Sequence, residues 1–482
     1  MPIPLLLAVL WPCSDPVALE RGLAGLRPAA ICADVRFLAS DELEGRDTPS
    51  QGLRLAARYL RARLERLGLQ PAGDDGFFDR YTLQQSGLDA QASGAALLLD
   101  GRETPLVFGR DYACSGSGER ELEGAVVFVG AGRAEDLRAL DLRGRWALAL
   151  DEGTPRGRAA WEEWNERLER VRATGAIGLL NAPAPGSEGA AERDARLERS
   201  ARFALEPRLG LPGQSSARGG GESEFPTLSL TSTVARTLLG DGVAPALGSE
   251  LGPRLRERRK PRMAATFELE NVAGLWPGSD AELAREVLVL SAHYDHVGKR
   301  DGEVYNGADD NGSGTAGLLA VAEALTQYGP LRRSVLFLWV SGEEKGLLGS
   351  RAWTLAPTLP EGTRAVLDIN IDMIGRNAPD KLLITPTRAL AEYNGLTRLA
   401  ESLAPLEGFP VLGAADEYWK RSDHMNFADN LGIPVAFLFS DVHEDYHKPS
   451  DDFEKIDCDK IRRVSRLLLR MLDGLQADEL AL

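Results

Sequence analysis

The last part of the chain alternates between short apolar runs and longer runs with helical periodicity. The apolar runs are rich in Val, Ile, Leu and Phe and predict buried strands at 286–293, 334–340, 365–373, 381–385 and 433–440. The amphipathic or apolar runs between them predict helices at 315–329, 389–404 and 458–475. Near-continuous apolar strands that alternate with helices are typical of a mostly parallel sheet covered on both faces. We therefore predict an α/β fold, with this sheet sandwiched by helices.

The pattern is different before residue 264. Leucine and alanine at helical spacing predict an amphipathic helix from Gly52 to Gly68. From about residue 95 to 252, short β-like runs are separated by loops rich in Gly, Pro and charge, with one charged helix at 158–174 and a mobile loop within 182–221. This β-rich segment contains no histidine and is predicted to be an inserted accessory domain. The predicted division is an N-terminal segment (1–31), a first part of the main domain (32–94), the insertion (95–252) and a catalytic part (253–482).

Charge argues against a nucleic-acid partner. The formal net charge is −16, whereas nucleic-acid phosphates require a basic face. The one basic run, RLRERRKPR at Arg254–Arg262, is predicted to be a solvated linker.

The N-terminal sequence bears on the compartment of the protein. The apolar run Ile3–Trp11 has the length of a signal-peptide core and is far too short to span a membrane, but no basic residues precede it. We predict export to the periplasm or the outside of the cell, with the cytoplasm as the alternative and no transmembrane span beyond an N-terminal signal or anchor. Spacing leaves open whether any two of Cys32, Cys114 and Cys458 form a disulfide.

Polar residues that can bind metal follow four of the predicted strands. All five histidines lie in the last part of the chain, and His293 ends the first predicted strand there. Glu343 and Glu344 follow the second strand, Asp372 ends the third, and His447 lies in the loop after the last. The carboxyl ends of the strands form the ligand crevice in open α/β sheets. We therefore expect these side chains to meet at one site.

A fifth candidate element is NGADDNGSG, in which Asp309 and Asp310 occupy a glycine-rich turn before a helix. The candidate metal ligands are His293, Asp309, Glu344, Asp372 and His447. Five ligands are too many for one catalytic zinc, which usually has three, but suit two metal ions that share a bridging aspartate. Nitrogen and oxygen ligands without thiolate favour two Zn²⁺ per chain, with Co²⁺ or Mn²⁺ as substitutes. Of the adjacent glutamates, one can bind metal while the other acts as a base toward water.

The motifs AHYDHVG, NGADDNGSG, SGEEKGLLGS, INIDMIGR and DYHKPSDD, in this order, resemble those of the co-catalytic dizinc aminopeptidases, the family of bacterial leucyl aminopeptidase and yeast aminopeptidase Y. The resemblance covers about 32–81 and 264–475, and it implies the zinc exopeptidase fold. The segment between them resembles a protease-associated domain.

The resemblance also implies roles for individual residues. One metal would be bound by His293, Asp309 and Asp372, and the other by Asp309, Glu344 and His447. Glu343 would be the general base, and Asp295 would orient the imidazole of His293. The Asp309–Asp310 peptide would be cis. Asp423 and His424 are candidates for lining the substrate pocket, with Tyr446 as a further candidate, and no role is assigned to His296 or His443.

The predicted function is that of a metallo-aminopeptidase acting on peptides with a free N-terminus. The alternatives are a glutamate carboxypeptidase-like peptidase, a glutaminyl cyclase with a single zinc, and a receptor-like protein that has lost catalysis. The HYD sequence at His293–Asp295 argues against the cyclase, and the complete set of candidate ligands argues against the receptor. The preferred N-terminal residue and the oligomeric state are left open.

Overall fold

The computed structural model describes residues 15–114, 118–151, 158–184, 187, 189–213, 225–240, 245–480 and 482. The chain divides into two compact units, one made of the residues up to Thr82 and from Glu268 onward, the other of Leu83–Phe267. The inserted unit is wider on both sides than the predicted 95–252. Its boundaries fall inside two long continuous strands, where no change of composition marks them.

In chain order the strands are β1 Gln70–Pro71, β2 Phe78–Leu88, β3 Gly94–Leu99, β4 Arg102–Leu106, β5 Tyr112–Cys114, β6 Arg120–Phe128, β7 Trp146–Asp151, β8 Gly178–Pro183, β9 Arg208–Gly210, β10 Thr227–Leu230, β11 Glu250–Arg259, β12 Pro261–Trp276, β13 Glu286–His293, β14 Gly298–Arg300, β15 Glu303–Tyr305, β16 Ser334–Val340, β17 Arg364–Asp372, β18 Leu383–Thr385, β19 Gly413–Ala414 and β20 Val435–Phe439. The helices are α1 Pro16–Gly25, α2 Pro28–Leu38, α3 Gln51–Leu67, α4 Arg158–Ala173, α5 Ala190–Leu205, α6 Ser232–Leu239, α7 Gly314–Tyr328, α8 Leu348–Leu355, α9 Gly395–Leu403, α10 His424–Asn426 and α11 Cys458–Gly474. Short helical turns cover Asp41–Arg46, Leu283–Arg285, Ala308–Ser313, Ala404–Glu407, Asp416–Tyr418, Phe427–Leu431 and Phe453–Lys455.

The first unit is built on a mixed sheet with the strand order β19-β18-β20-β17-β13-β16-β12-β2. Its centre, β20-β17-β13-β16, is parallel, and antiparallel pairs flank it on both sides. The register aligns the carboxyl ends of the central strands, since His293 lies beside Val340 and Asp372 beside Phe439. Strands β16 and β20 are buried along their whole length, and β13 and β17 are buried except at their amino-terminal ends, as their apolar sequence predicts. The parallel centre therefore brings the chemically active strand ends to one edge.

Helices α1 and α2 belong to the fold of this unit. Leu23 of α1 is only 1% exposed, and a Cβ added at Gly22 would lie 2.9 Å from the Leu469 side chain of α11. The predicted boundary after residue 31 falls inside α2, and the apolar run 3–11 lies outside the described residues. Among the helices that the structure describes, none is both long and apolar enough to cross a membrane.

The second unit contains a sheet with the strand order β4-β3-β11-β6-β7-β8-β10-β5. The basic run predicted to be a linker forms the end of β11 and the start of β12 instead. Alternate residues of β11 point inward, and Arg259 makes a buried ion pair of 2.9 Å with Glu257. Because two of the inward positions of β11 are charged, its sequence does not alternate between apolar and polar residues as a half-buried strand usually does. Part of the predicted mobile loop is helix α5, whose Leu197 is buried.

A disulfide joins Cys32 in α2 to Cys458 at the start of α11, 426 residues apart in sequence. We expect the double variant Cys32→Ser/Cys458→Ser to lower the free energy of unfolding by about 2–4 kcal/mol, because an unfolded chain without the cross-link has more conformations. Urea denaturation of both proteins, with and without reductant, measures this difference. Reductant should destabilise only the wild type, and equal unfolding midpoints for the two proteins would contradict the prediction.

Candidate metal centre

Four strand exits of the parallel sheet converge on one buried cluster. His293 Nε2 lies 3.2 Å from Asp372 Oδ1 and 3.4 Å from Asp310 Oδ1. His447 Nε2 lies 3.2 Å from Asp310 Oδ2 and 3.1 Å from Glu344 Oε1. The two carboxylate oxygens of Asp310 thus face different histidines, which is the arrangement of a bridging ligand.

Asp310, and not the predicted Asp309, occupies this central position. The Asp309 carboxylate turns away, since its Oδ1 accepts a hydrogen bond of 2.7 Å from the Gly375 amide and its Oδ2 lies 3.2 Å from His443 Nε2. The cis peptide bond likewise lies one position later than expected, between Asp310 and Asn311. The ligand set with Asp309 is therefore corrected to one with Asp310. The tight turn at Ala308–Ser313 decides which of two adjacent carboxylates faces the cluster.

His296 joins the cluster although the sequence analysis assigns it no role. Its Nδ1 lies 3.0 Å from Glu344 Oε1 and 3.6 Å from Asp310 Oδ2. Two groups of potential ligand atoms result, each with all its atoms within 4.8 Å of one another. The groups are His296, Asp310, Glu344 and His447, and His293, Asp310 and Asp372.

Asp295 connects His293 to the loop that carries Glu343. The Asp295 carboxylate lies 3.6 Å from His293 Nδ1, which is also 3.2 Å from the Asp295 carbonyl oxygen. The same carboxylate accepts hydrogen bonds of 2.9 Å from Thr48 Oγ1 and 3.2 Å from the Glu343 amide. Asp295 therefore holds both the imidazole and the backbone of Glu343.

Residues far from the motifs support the centre. Arg46 is buried and donates to the carbonyl oxygens of Tyr294 at 2.9 Å, Asn306 at 2.7 Å and Gly307 at 2.9 Å, which ties together the two loops that carry ligands. Ser422 Oγ donates to Asp372 Oδ2 at 3.1 Å. Sequence reasoning missed Thr48, Arg46 and Ser422, because only the fold brings them to the strand ends.

The environment of Glu343 suits a proton acceptor and donor. Burial, followed by the nearby negative charges of Glu344 and Asp423, holds the pKa of Glu343 well above its ordinary value. A raised pKa makes a carboxylate a stronger base and, once protonated, a more available acid near neutral pH.

The pKa values of two of the histidines are raised as well. Burial lowers the pKa of His447, but the neighbouring carboxylates of Asp310 and Glu344 outweigh it and raise the pKa to about 9. For His293, burial is likewise outweighed, chiefly by the charges of Asp372 and Glu343, and the pKa lies well above its usual range. Imidazoles surrounded by carboxylates in this way indicate a place where positive charge is favoured.

The residues present fit divalent metal ions. Within the described part of the chain, the buried atoms Glu344 Oε1, His447 Nε2 and both ring nitrogens of His296 have no hydrogen-bond partner, although they lie close together. Buried polar atoms normally pair, so atoms that converge without aligned hydrogen bonds are consistent with metal ligands. The donor set of imidazole and carboxylate, without thiolate, is typical of zinc.

A cavity, here called the site cavity, opens beside the cluster. Its floor includes Asp310, Glu343 and Asp372. Its other lining residues are Met373, Tyr418, Arg421, Phe437, Phe439, Val442 and Tyr446. The wall is therefore mainly apolar and aromatic.

Of the predicted pocket residues, Tyr446 lines the site cavity and stacks on His447 with ring centres 3.9 Å apart. Asp423 and His424 do not line it. Asp423 accepts a hydrogen bond of 2.5 Å from Ser350, and the buried His424 ring stacks on Phe437. Burial lowers the pKa of His424 to about 3, so this imidazole is neutral and supports the wall from behind.

Comparisons with known proteins agree with this arrangement. Residues 271–472 match the profile described as Peptidase family M28. A probable leucine aminopeptidase of Arthroderma otae is 28% identical over 234 residues, which are 45% of this chain and 60% of that protein. Aminopeptidase YwaD of Bacillus subtilis is 28% identical over 189 residues, 38% of this chain and 40% of that protein. The chain thus spans about half the length of the curated relatives it matches.

Among solved structures, an aminopeptidase from Aneurinibacillus sp. strain AM-1 has a TM-score of 0.52 at 18% identity, over 95% of this chain and 96% of that one. At this identity the likeness shows the fold, and it extends over both units of the chain.

Proposed function

We propose that the protein is a metal-dependent aminopeptidase acting on peptides with a free N-terminus, and the match of residues 271–472 to the profile of peptidase family M28 supports this proposal. The observation that carries the proposal is the Asp310 carboxylate, whose two oxygens face His293 and His447 from a shared buried position. The names of the relatives from Arthroderma otae and Bacillus subtilis support the same reaction.

The proposed cofactor is two zinc ions per chain, with Co²⁺ or Mn²⁺ as substitutes. One would be held by His293, Asp310 and Asp372, and the other by Asp310, Glu344 and His447. Bound zinc supplies Lewis-acid chemistry, since it lowers the pKa of water and polarises a carbonyl group.

Glu343 is the proposed general base. Its carboxylate lines the site cavity together with Asp310 and Asp372, where a scissile carbonyl would lie. It would accept the proton of the attacking water and later deliver it to the leaving amine, which its raised pKa favours. Asp295 holds the Glu343 amide and the His293 ring, and thereby acts as a positioning residue.

The site cavity is the proposed place for the side chain of the N-terminal residue. Phe437 and Phe439 stack with ring centres 5.5 Å apart, and Tyr418 packs against Phe439 at 4.9 Å. A largely aromatic wall whose one charged side chain is the cationic Arg421 favours apolar residues over basic ones.

A negative charge placed in the wall of the site cavity should change which N-terminal residue the protein prefers in its peptide substrates. Val442 is 39% exposed, so Val442→Asp should leave folding intact. We expect kcat/KM for a leucine-initiated peptide to fall roughly tenfold, and kcat/KM for a lysine-initiated peptide to rise relative to it. Val411→Asp is the control, since Val411 is 79% exposed and lies outside the cavity wall. If the ratio of kcat/KM for the two peptides is the same in Val442→Asp as in the wild type, the side chain of the N-terminal substrate residue binds outside this cavity.

The proposed reaction is tested with a set of short peptides whose N-termini are free or acetylated, followed by mass spectrometry. We expect stepwise loss of N-terminal residues from the free peptides only, abolished by a chelator and restored by Zn²⁺. Trimming from the C-terminus would move the assignment to a glutamate carboxypeptidase-like peptidase. A protein that binds no metal and cleaves nothing would favour the receptor-like alternative.

Two further assignments belong to this proposal. Residues 83–267 would be a protease-associated domain, inserted between the two parts of the peptidase unit. Export to the periplasm or outside the cell is supported by the Cys32–Cys458 disulfide, because disulfides persist mainly in oxidising compartments. Finding the protein in a spheroplast supernatant or culture medium, with this disulfide oxidised, would test the location.

A further inference from the structure

The buried ring of His296 has no partner that explains its position. It is 0% exposed, and neither ring nitrogen makes a hydrogen bond with any described residue. An imidazole buried in this way costs free energy unless something else satisfies it. Its Nδ1 points at Glu344 Oε1, 3.0 Å away, without the alignment of a hydrogen bond.

The backbone fixes the ring in this orientation. The His296 amide donates to the Arg46 carbonyl oxygen at 3.2 Å, which anchors the residue to the neighbouring chain. Gly307 presses against the ring, since a Cβ there would lie 2.4 Å from His296 Cγ. The ring is thus pre-organised toward Glu344 and Asp310, as a metal ligand requires.

The ring also lies beside the other histidine of its group. Its centre is 5.6 Å from that of His447, at an interplanar angle of 73°, so both rings approach Glu344 Oε1 from different sides. One group therefore offers two imidazoles and two carboxylates, whereas the other offers one imidazole and two carboxylates.

We infer that His296 Nδ1 is a fourth protein ligand in the group with Asp310, Glu344 and His447, and that the two metal positions are unequal. This inference rests on the proposed metal centre but not on peptidase activity. Four protein ligands complete the usual zinc coordination, whereas three leave a position open for water or substrate. The four-residue position is then the tighter one, and the His293 position is the one open to substrate.

The inference is tested by zinc binding to the metal-stripped, full-length protein, measured by competition with a chromophoric chelator. We expect two zinc ions in the wild type, with dissociation constants at least tenfold apart. In His296→Gln the tighter constant should weaken by at least about 100-fold, since even residues that only support ligands cost 10–100-fold. His424→Gln is the matched control, because His424 is equally buried and lies outside both groups. A tighter constant within about threefold of the wild type in His296→Gln would overturn the inference.

A second measurement needs no variant. X-ray absorption at the zinc edge, on wild-type protein loaded with one equivalent of Zn²⁺, counts the imidazoles bound to the first ion. Two imidazoles are expected from His296 and His447, and a single imidazole would overturn the inference. If the wild type binds no zinc, the proposed function fails as well. If it binds two ions and trims peptides while His296→Gln keeps full affinity, only this inference fails.

Discussion

Glu343→Gln is expected to lower kcat by roughly 10²–10⁴ while both zinc ions stay bound. Glutamine keeps the shape of the side chain but cannot accept the proton of water. Glu343 is not among the ligand atoms of either metal group, so the zinc content should not change. Steady-state kinetics with a leucine-initiated peptide and a zinc analysis of the same sample measure the two effects together.

Glu344→Gln is the matched comparison, one residue away. Glu344 Oε1 faces His447 and His296, so this variant should lose zinc as well as activity. The pH dependence gives an independent check. A base must be unprotonated to act, so wild-type kcat should fall as the pH falls through the pKa of Glu343, and this acid limb should be absent in Glu343→Gln. Equal activity in Glu343→Gln and the wild type would remove Glu343 from catalysis.

Asp310→Asn is expected to weaken the binding of both zinc ions by more than about 100-fold, whereas Asp309→Asn should keep them within about tenfold. Asp310 alone presents one oxygen to His293 and the other to His447. Asp309 instead accepts from the Gly375 amide, and an asparagine oxygen can accept the same hydrogen bond. Asp309→Asn is therefore the matched control for Asp310→Asn.

Equilibrium dialysis against buffered Zn²⁺, with circular dichroism to verify folding, measures the difference between these two variants. The reverse result, with zinc lost from Asp309→Asn and retained by Asp310→Asn, would restore the ligand set expected from the sequence. Comparable losses in both variants would mean that the turn at Ala308–Ser313 acts as a unit, and Asp310 would no longer be distinguished as the bridging ligand.

The elements of the first unit could be predicted closely because their patterns are strong. Strands β13 and β16 have the predicted bounds, 286–293 and 334–340, since each is a continuous apolar run ended by a change to polar residues. Helix α11 begins at the predicted Cys458, where Asp457 accepts from the next amides as an N-cap. The inserted unit was harder to predict, because the inward face of β11 is apolar at Leu251 and Leu255 but charged at Glu257 and Arg259, which form a buried pair.

The sequence by itself determined that candidate metal ligands lie at the strand ends, because His293, Glu344, Asp372 and His447 follow separate apolar strands whose carboxyl ends meet in a parallel sheet. Only the tertiary structure decided that Asp310 takes the bridging position and that His296 joins the cluster. The physical reason is that the direction of a side chain in a tight turn depends on backbone dihedral angles and on packing against distant segments, such as Arg46 and Gly307. Those contacts cannot be predicted from residue types and their spacing along the chain.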